Sequence, residues 1–195
     1  MISIVTATVG RESLQRVIQN IDAQTYQDWE HIIIVDGTSL EDDIAASIVE
    51  NEKRNLIYIQ RSKCDHGKTP QNIGMVAARG EYITLFDDDN EWLPNHLEEM
   101  MKGFEDPEVQ MTFCPLTMIH YNFENRREER HFSLCCGKVD AGNWIIKKEV
   151  MHRNGLFWGP QRRSYDWQWI KKVTENNEKY VVLENRTFLY YTPKP

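Results

Sequence analysis

Apolar residues along this chain switch repeatedly between two spacings. The run Ile2-Ser3-Ile4-Val5-Thr6-Ala7-Thr8 is rich in β-branched residues and predicts a buried strand over residues 2–8. Leu14, Val17, Ile18 and Ile21 then fall at i, i+3, i+4 and i+7, the pattern of an amphipathic helix. His31 to Val35 is a second strand, apolar on both faces as a central parallel strand is, and it stops at the turn Asp36-Gly37-Thr38-Ser39. Ile44, Ile48 and Val49 mark another helix, with Glu41, Asp42 and Asp43 at its start, where the helix dipole favours acids. Leu56 to Ile59 is a third strand, and residues 61–69 are a polar loop. Pro70 to Ala78 is a short helix and residues 81–86 are a fourth strand. Pro94 opens a further helix with Leu97, Met100, Met101 and Phe104 on one face.

Strand and helix thus alternate through the first 106 residues. This pattern implies an α/β fold, an open and mostly parallel sheet with helices on both faces. Such sheets bind ligands beyond the carboxyl ends of their strands. Three of the four strands end in residues suited to ligand contact, namely Thr6 and Thr8, Asp36, and Asp87-Asp88-Asp89. The rest of the chain is less regular and predicts a smaller, β-containing half. Val109 to Ile119 reads as one strand, and residues 120–136 as a hairpin with a charged tip. Lys147 to Arg153 reads as a short helix stopped by Gly155, and Gly159-Pro160-Gln161 as a turn. Asp166 to Val173 reads as a helix with Trp167, Ile170 and Val173 inward, followed by strands at Tyr180 to Leu183 and Thr187 to Tyr191. A length of 195 residues suits one domain, here in two halves, 1–106 and 107–195.

Composition narrows the partners. A net charge of −7 argues against a broad nucleic-acid-binding face, though not against a local basic pocket. No apolar run approaches the roughly 20 residues of a membrane helix, and Met1-Ile2-Ser3-Ile4-Val5 lacks the layout of a signal peptide. The four cysteines, Cys64, Cys114, Cys135 and Cys136, contain no CxxC pair and suggest neither zinc nor a disulfide framework. A reduced, cytoplasmic protein is the simplest reading, with Cys135-Cys136 part of a strand.

The candidate chemistry centres on the acidic triplet. Three adjacent like charges repel, so a fold keeps them together chiefly where a cation sits among them. Asp87 and Asp89 have the spacing of an Asp-x-Asp site, and carboxylate oxygens suit Mg²⁺ or Mn²⁺, ions that leave positions for phosphate oxygens. A solvated acidic turn capping the next helix reads the same way in letters. The triplet's place at the end of a buried strand, followed by Asn90, Trp92 and Pro94, favours the metal. Asp36 suits hydrogen bonds from a base or ribose, or is a plain turn residue. Arg61, Lys63 and Lys68 suit phosphates, or form a solvated loop.

In order along the chain, Ser3-Ile4-Val5-Thr6-Ala7-Thr8, Gln24-Thr25-Tyr26-Gln27-Asp28-Trp29-Glu30, Ile33-Ile34-Val35-Asp36-Gly37-Thr38-Ser39, Asn72-Ile73-Gly74, Arg79-Gly80-Glu81-Tyr82-Ile83 and the triplet resemble the family-2 glycosyltransferases of GT-A fold. The likeness covers about the first 106 residues, with weaker echoes beyond, and is specific for the family rather than for a substrate. It implies a nucleotide-sugar donor, a UDP-sugar by family habit, bound by residues 1–106. Base and ribose would lie against Thr6, Ala7, Thr8 and Asp36, with Arg61, Lys68, Gln71 and Asn72 also in the donor site. A divalent ion on Asp89 would hold the diphosphate, with Asp87 or Asp88 near the ribose, and would act as a Lewis acid on the leaving group. The resemblance further implies an in-line displacement with inversion, onto a saccharide or other hydroxyl acceptor bound by residues 107–195. That reaction needs a general base. Gly155-Leu156-Phe157 followed by Tyr165-Asp166-Trp167-Gln168-Trp169 points to Asp166, which equally suits a helix N-cap. Trp158, Trp167 and Trp169 are candidates to stack on sugars or to pack the core.

Three departures from the family pattern stand out. The turn after the second strand has one acid fewer. Gln71 stands where an arginine is common, leaving Arg61, Lys63 or Lys68 to replace it. The family's late histidine has no counterpart in Tyr190-Tyr191-Thr192-Pro193-Lys194-Pro195, which implies weaker metal binding or Lys194 as an electrostatic substitute. Two other readings compete. A sugar-nucleotide nucleotidyltransferase would want a glycine-rich loop after the first strand, where Val9-Gly10-Arg11 stands. A non-catalytic nucleotide-sugar-binding relative would not need the retained Asp89 and Asp166.

Overall fold

The computed structural model describes residues 1–37, 39–60, 65, 67–121, 127–132, 140–157 and 165–192. Its first part follows the alternation of the sequence. The elements are β1 (Ile2–Thr8), α1 (Ser13–Asp22), β2 (Trp29–Asp36), α2 (Asp42–Val49), β3 (Arg54–Ile59), α3 (Lys68–Ala77), β4 (Tyr82–Leu85), a two-residue β5 (Glu91–Trp92) and α4 (His96–Lys102). The second part adds β6 (Met111–Phe113), β7 (Leu116–Tyr121), β8 (Arg127–Phe132), β9 (Trp144–Lys147), α5 (Lys148–Asn154), α6 (Tyr165–Glu175), β10 (Tyr180–Val182) and β11 (Phe188–Tyr191).

Seven strands form the main sheet in the order β10-β6-β9-β4-β1-β2-β3, and four form a smaller sheet in the order β5-β11-β7-β8. β4, β1, β2 and β3 are mutually parallel. β9 enters antiparallel between β4 and β6. Successive side chains of a strand point to opposite faces, and β1 shows what this does. Ile4 packs with Val17, Ile21, Leu97 and Met100 from α1 and α4. Val5, one residue on, packs with Met75, Ile170 and Val173 from α3 and α6. Helices therefore cover both faces, and each fully buried aliphatic side chain in these layers contributes about 1.5–3 kcal/mol.

At the amino ends of these strands a carboxylate is buried and satisfied. Ser3 and Glu30 are register partners on β1 and β2. Glu30 accepts hydrogen bonds from the Ser3 hydroxyl (2.6 Å), from the backbone N–H groups of Arg79 (2.6 Å) and Gly80 (3.2 Å), and from Arg79 Nε (2.8 Å). A Cβ on Gly80 would lie 2.7 Å from the Met1 carbonyl oxygen and 2.9 Å from Ser3 N, so only glycine lets the chain pass here. Burial pushes the Glu30 carboxyl up, but Ser3 and Arg79 outweigh it and hold the group below its ordinary range.

The second half departs from the sequence expectation in two places. Val109 to Ile119 is not one strand. β6 ends at Phe113 and β7 begins at Leu116, and the two lie in different sheets. Pro115 between them lacks the N–H a continuous ladder would need. The sequence pattern does not predict β9, because Trp144-Ile145-Ile146 is too short an apolar run to show a period. The hairpin exists as the antiparallel pair β7 and β8. Its tip, Cys135-Cys136 and the turn Gly159-Pro160-Gln161 lie outside the described residues. Among the described residues no helix is long and apolar enough to cross a membrane.

Candidate active site

Because β1, β2 and β4 run parallel, Thr8, Asp36 and the residues after Leu85 all arrive at one edge of the sheet. There they line a cavity of about 250 Å³ whose walls include Ala7, Thr8, Asp36, Asp87, Asp88 and Asp89.

The turn after β1 is built around the triplet. Gly10 has φ +81°, a left-handed conformation that favours glycine. Its N–H donates to Thr8 Oγ1 (3.0 Å), and that hydroxyl donates to Asp88 Oδ2 (2.6 Å). The same turn brings Arg11 over the acids. Its Nη1 donates to Asp88 Oδ1 (2.8 Å) and to Asp89 Oδ2 (3.1 Å). Arg16 Nη2 donates to the Asp89 carbonyl (3.2 Å). Asp88 is buried and Asp89 exposed. Burial pushes the Asp88 carboxyl above its ordinary value, against the lowering effect of Thr8 and Arg11.

Asp87 is linked instead to the late helix. Gln71 Nε2, on α3, donates to Asp87 Oδ1 (3.0 Å), and Tyr165 Oη, on α6, donates to Gln71 Oε1 (2.9 Å). Burial, and then the charges of Asp89, Asp88 and Asp166, push the Asp87 carboxyl up to about 7. Asp166, next to Tyr165, accepts from the N–H of Trp167 (2.7 Å), and burial raises its carboxyl as well.

A fourth position completes the acidic enclosure. Asp140 caps the short 3-10 turn before β9, accepting from the N–H of Gly142 (3.3 Å), while its own N–H donates to Asn143 Oδ1 (3.1 Å). Asn90 Nδ2 also donates to it (3.4 Å). Burial, then Asp87 and Asp166, push the Asp140 carboxyl well up. Tyr190 is pushed up to about 12, by burial and then by Asp140 and Asp89. Acids from the end of β4, the entry to β9 and the start of α6 thus feel one another across a single space.

The expected site residues fall into groups. Ala7, Thr8, Asp36, Asp87, Asp88 and Asp89 line the cavity. Lys68 and Gln71 stand in the first turns of α3 beside it. Thr6 is buried on the core side, its Oγ1 2.9 Å from His31 Nε2, and does not line the cavity. Asn72 is turned to the late chain: its Nδ2 donates to the Phe157 carbonyl and its Oδ1 accepts from the Phe157 N–H, both at 3.0 Å. Trp169 is a core residue, buried, edge-on to Phe157 and bonded through Nε1 to the Gly155 carbonyl (2.7 Å). Trp167 is half-buried against the same core. Arg61, Lys63, Trp158 and Lys194 lie outside the described residues. Sequence reasoning does not single out Arg11, Asp140 or Tyr165. Asp140-Ala141-Gly142-Asn143 has capping letters that signal the turn, though not its acid's position.

Among the described residues no group of three or more His, Cys, Asp or Glu is arranged to hold a metal ion. Asp88 and Asp89 offer two carboxylates at the cavity. That donor set fits a Mg²⁺ or Mn²⁺ whose remaining positions are filled by water and the phosphates of a ligand.

Residues 3–178 match the model of glycosyl transferase family 2. WcaA of Escherichia coli (strain K12), a glycosyl transferase named for colanic acid biosynthesis, is 33% identical over 98 residues, which are 50% of this chain and 35% of WcaA. S. aureus TarS 1-349 in complex with UDP-GlcNAc superposes with a TM-score of 0.75 at 14% identity, over 100% of this chain and 59% of that one. The mannosyltransferase PcManGT from Pyrobaculum calidifontis, in complex with GDP-Man and Mn²⁺, superposes with a TM-score of 0.71 at 15% identity, over 99% of this chain and 57% of that one. The chain therefore spans between about a third and three fifths of the length of these proteins.

Proposed function

The chain belongs to glycosyl transferase family 2 and has the GT-A fold, and from that premise we propose a metal-assisted, inverting transfer of a sugar from a nucleoside diphosphate to an acceptor hydroxyl. The observation that carries this reading is the meeting of Thr8, Asp36 and the triplet around one cavity, with the Asp166 charge helping to raise the Asp87 carboxyl. The UDP-GlcNAc complex of TarS supports a UDP-sugar as the default donor.

In this reading base and ribose lie along Ala7, Thr8 and Asp36, and the diphosphate faces Asp88 and Asp89. A bound Mg²⁺ or Mn²⁺ would supply Lewis-acid stabilisation of the leaving diphosphate. Asp166 takes the proton of the acceptor hydroxyl as it attacks the anomeric carbon. A carboxyl raised by burial is a stronger proton acceptor when ionised, which suits a general base. Tyr165 and Gln71 fix that helix end against Asp87, so donor and base sides keep their spacing. Residues 107–195 supply the acceptor side. The soluble, cytoplasmic setting expected from the sequence belongs to this proposal as well.

The test is a panel of nucleotide sugars with Mn²⁺, followed by release of nucleoside diphosphate. Release with at least one donor is expected. Nucleotide binding without release or hydrolysis for any donor would leave a binding protein and end the enzyme reading. In the active pair, Asp166→Asn keeps donor affinity and loses transfer by about 10²–10⁴-fold. Full transfer in that variant places the base elsewhere.

A further inference from the structure

A single nitrogen of Arg11 occupies the place between two carboxylates of the triplet. Nη1 lies 2.8 Å from Asp88 Oδ1 and 3.1 Å from Asp89 Oδ2. Asp88 is nearly inaccessible, at 5% side-chain exposure, while Arg11 and Asp89 are 53% and 52% exposed at the rim. Asp88 is held in place by Thr8, which donates to its other oxygen. Arg11 can move, since its side chain is exposed at the rim. Asp88 and Asp89 would hold a divalent ion only by giving up their bonds to Nη1. The two cations also repel. The planar guanidinium, once released, is well suited to the oxygens of a diphosphate.

We propose that Arg11 is an exchangeable counter-ion of the donor site. Without donor it bridges Asp88 and Asp89 in the position of a cation. When a nucleoside diphosphate enters, Arg11 leaves Asp88 and Asp89, which would then hold a divalent ion, and moves onto the diphosphate. The inference rests on the donor-site reading above. It assigns to Arg11 two opposed effects: it weakens the binding of the metal alone and strengthens the binding of the nucleotide.

Two equilibrium titrations of the whole chain decide it. Free Mn²⁺ is titrated without nucleotide, followed by electron paramagnetic resonance. UDP is titrated in EDTA, followed by calorimetry. Arg11→Ala is expected to bind Mn²⁺ about fivefold more tightly and metal-free UDP about tenfold more weakly than the wild type. A merely structural role would weaken both. Mn²⁺ affinity unchanged or lowered, or metal-free UDP affinity unchanged, overturns the proposal. Arg11→Lys keeps a charge at the rim but lacks the planar fork, and must shift both affinities in the same directions by less. It decides the matter if the alanine variant does not fold. Wild-type protein that binds no nucleotide, with or without Mn²⁺, refutes the donor-site reading, and the Mn²⁺ titration then still decides whether Arg11 holds a cation's place.

Discussion

At the amino ends of β1 and β2, Glu30 is enclosed by donors. At the carboxyl ends of β1 and β4, Asp87 is enclosed by acids. Glu30 is buried and Asp87 half-buried at the cavity, and they lie at opposite ends of the same sheet. Yet one is held below its ordinary range and the other is raised to about 7. Burial acts in the same direction on both, so the neighbours decide the difference. A hydroxyl, two backbone N–H groups and a guanidinium stabilise the Glu30 charge, whereas among the described residues a neutral amide, from Gln71, donates to Asp87. The first end uses a buried acid to fasten the strands. The second tolerates crowded charge, as the donor site proposed above would.

The largest expected effect comes from breaking the satisfied end. Glu30→Gln keeps a neutral carbonyl for Ser3 and the two N–H groups but removes the charge and turns an amide donor toward Arg79 Nε, and should cost about 2–3 kcal/mol in urea unfolding. Nucleotide affinity of the folded fraction should be unchanged. A cost near zero would mean the amino-end cluster is ornamental.

Asp87→Asn should do the opposite, stabilising the ligand-free protein by about 1–2 kcal/mol at pH 8, after allowing for solvent screening. The sign follows from linkage. A carboxyl raised from 3.8 to about 7 gives stability that is complete below pH 3.8 and lost as pH rises through 7. A lowered carboxyl such as Glu30 gives stability that is present above 4.5 and lost as pH falls through its folded value. Unfolding free energies across pH 3–8 should therefore show Asp87→Asn flattening the decline between pH 4 and 7. Glu30→Gln should flatten only the acid limb. Matching profiles for the two variants would refute the contrast.

The smallest effect sharpens the second end. Tyr165→Phe removes the hydrogen bond to Gln71 and should cost about 1 kcal/mol by thermal unfolding. Transfer should fall more than nucleotide affinity, because the bond ties the Asp166 helix to the donor side. Equal losses in both would show that Tyr165 only supports the fold.

The donor side is legible because each of its strands announces itself. Ile2 to Thr8, His31 to Val35 and Tyr82 to Leu85 are β-branched runs that end in polar residues, and periodic helices separate them. The acids at their ends can be placed from topology alone. The other wall is not legible in the same way. Asp140 reaches the site because β9 is threaded antiparallel between β4 and β6, a pairing of residues far apart in sequence that no local pattern reports. Arg11 reads in the sequence only as part of a turn, since its bonds to Asp88 and Asp89 span 77 and 78 positions. Trp169 carries an aromatic letter equally suited to stacking or to the core, and only its burial decides.

The threading of β9 also sets a timetable. One edge of β4 is closed by β1, already made, and the other by a strand that does not yet exist when Leu85 is synthesised. Trp144 follows ~60 residues later, roughly 3–12 s at ordinary elongation rates. Through that interval the nascent chain carries an apolar strand with unpaired backbone groups, the template on which other chains aggregate. The acidic corner at the end of β4 is therefore among the last parts of the protein to be enclosed. For this sheet the hazardous period belongs to biosynthesis, and it closes when β9 arrives.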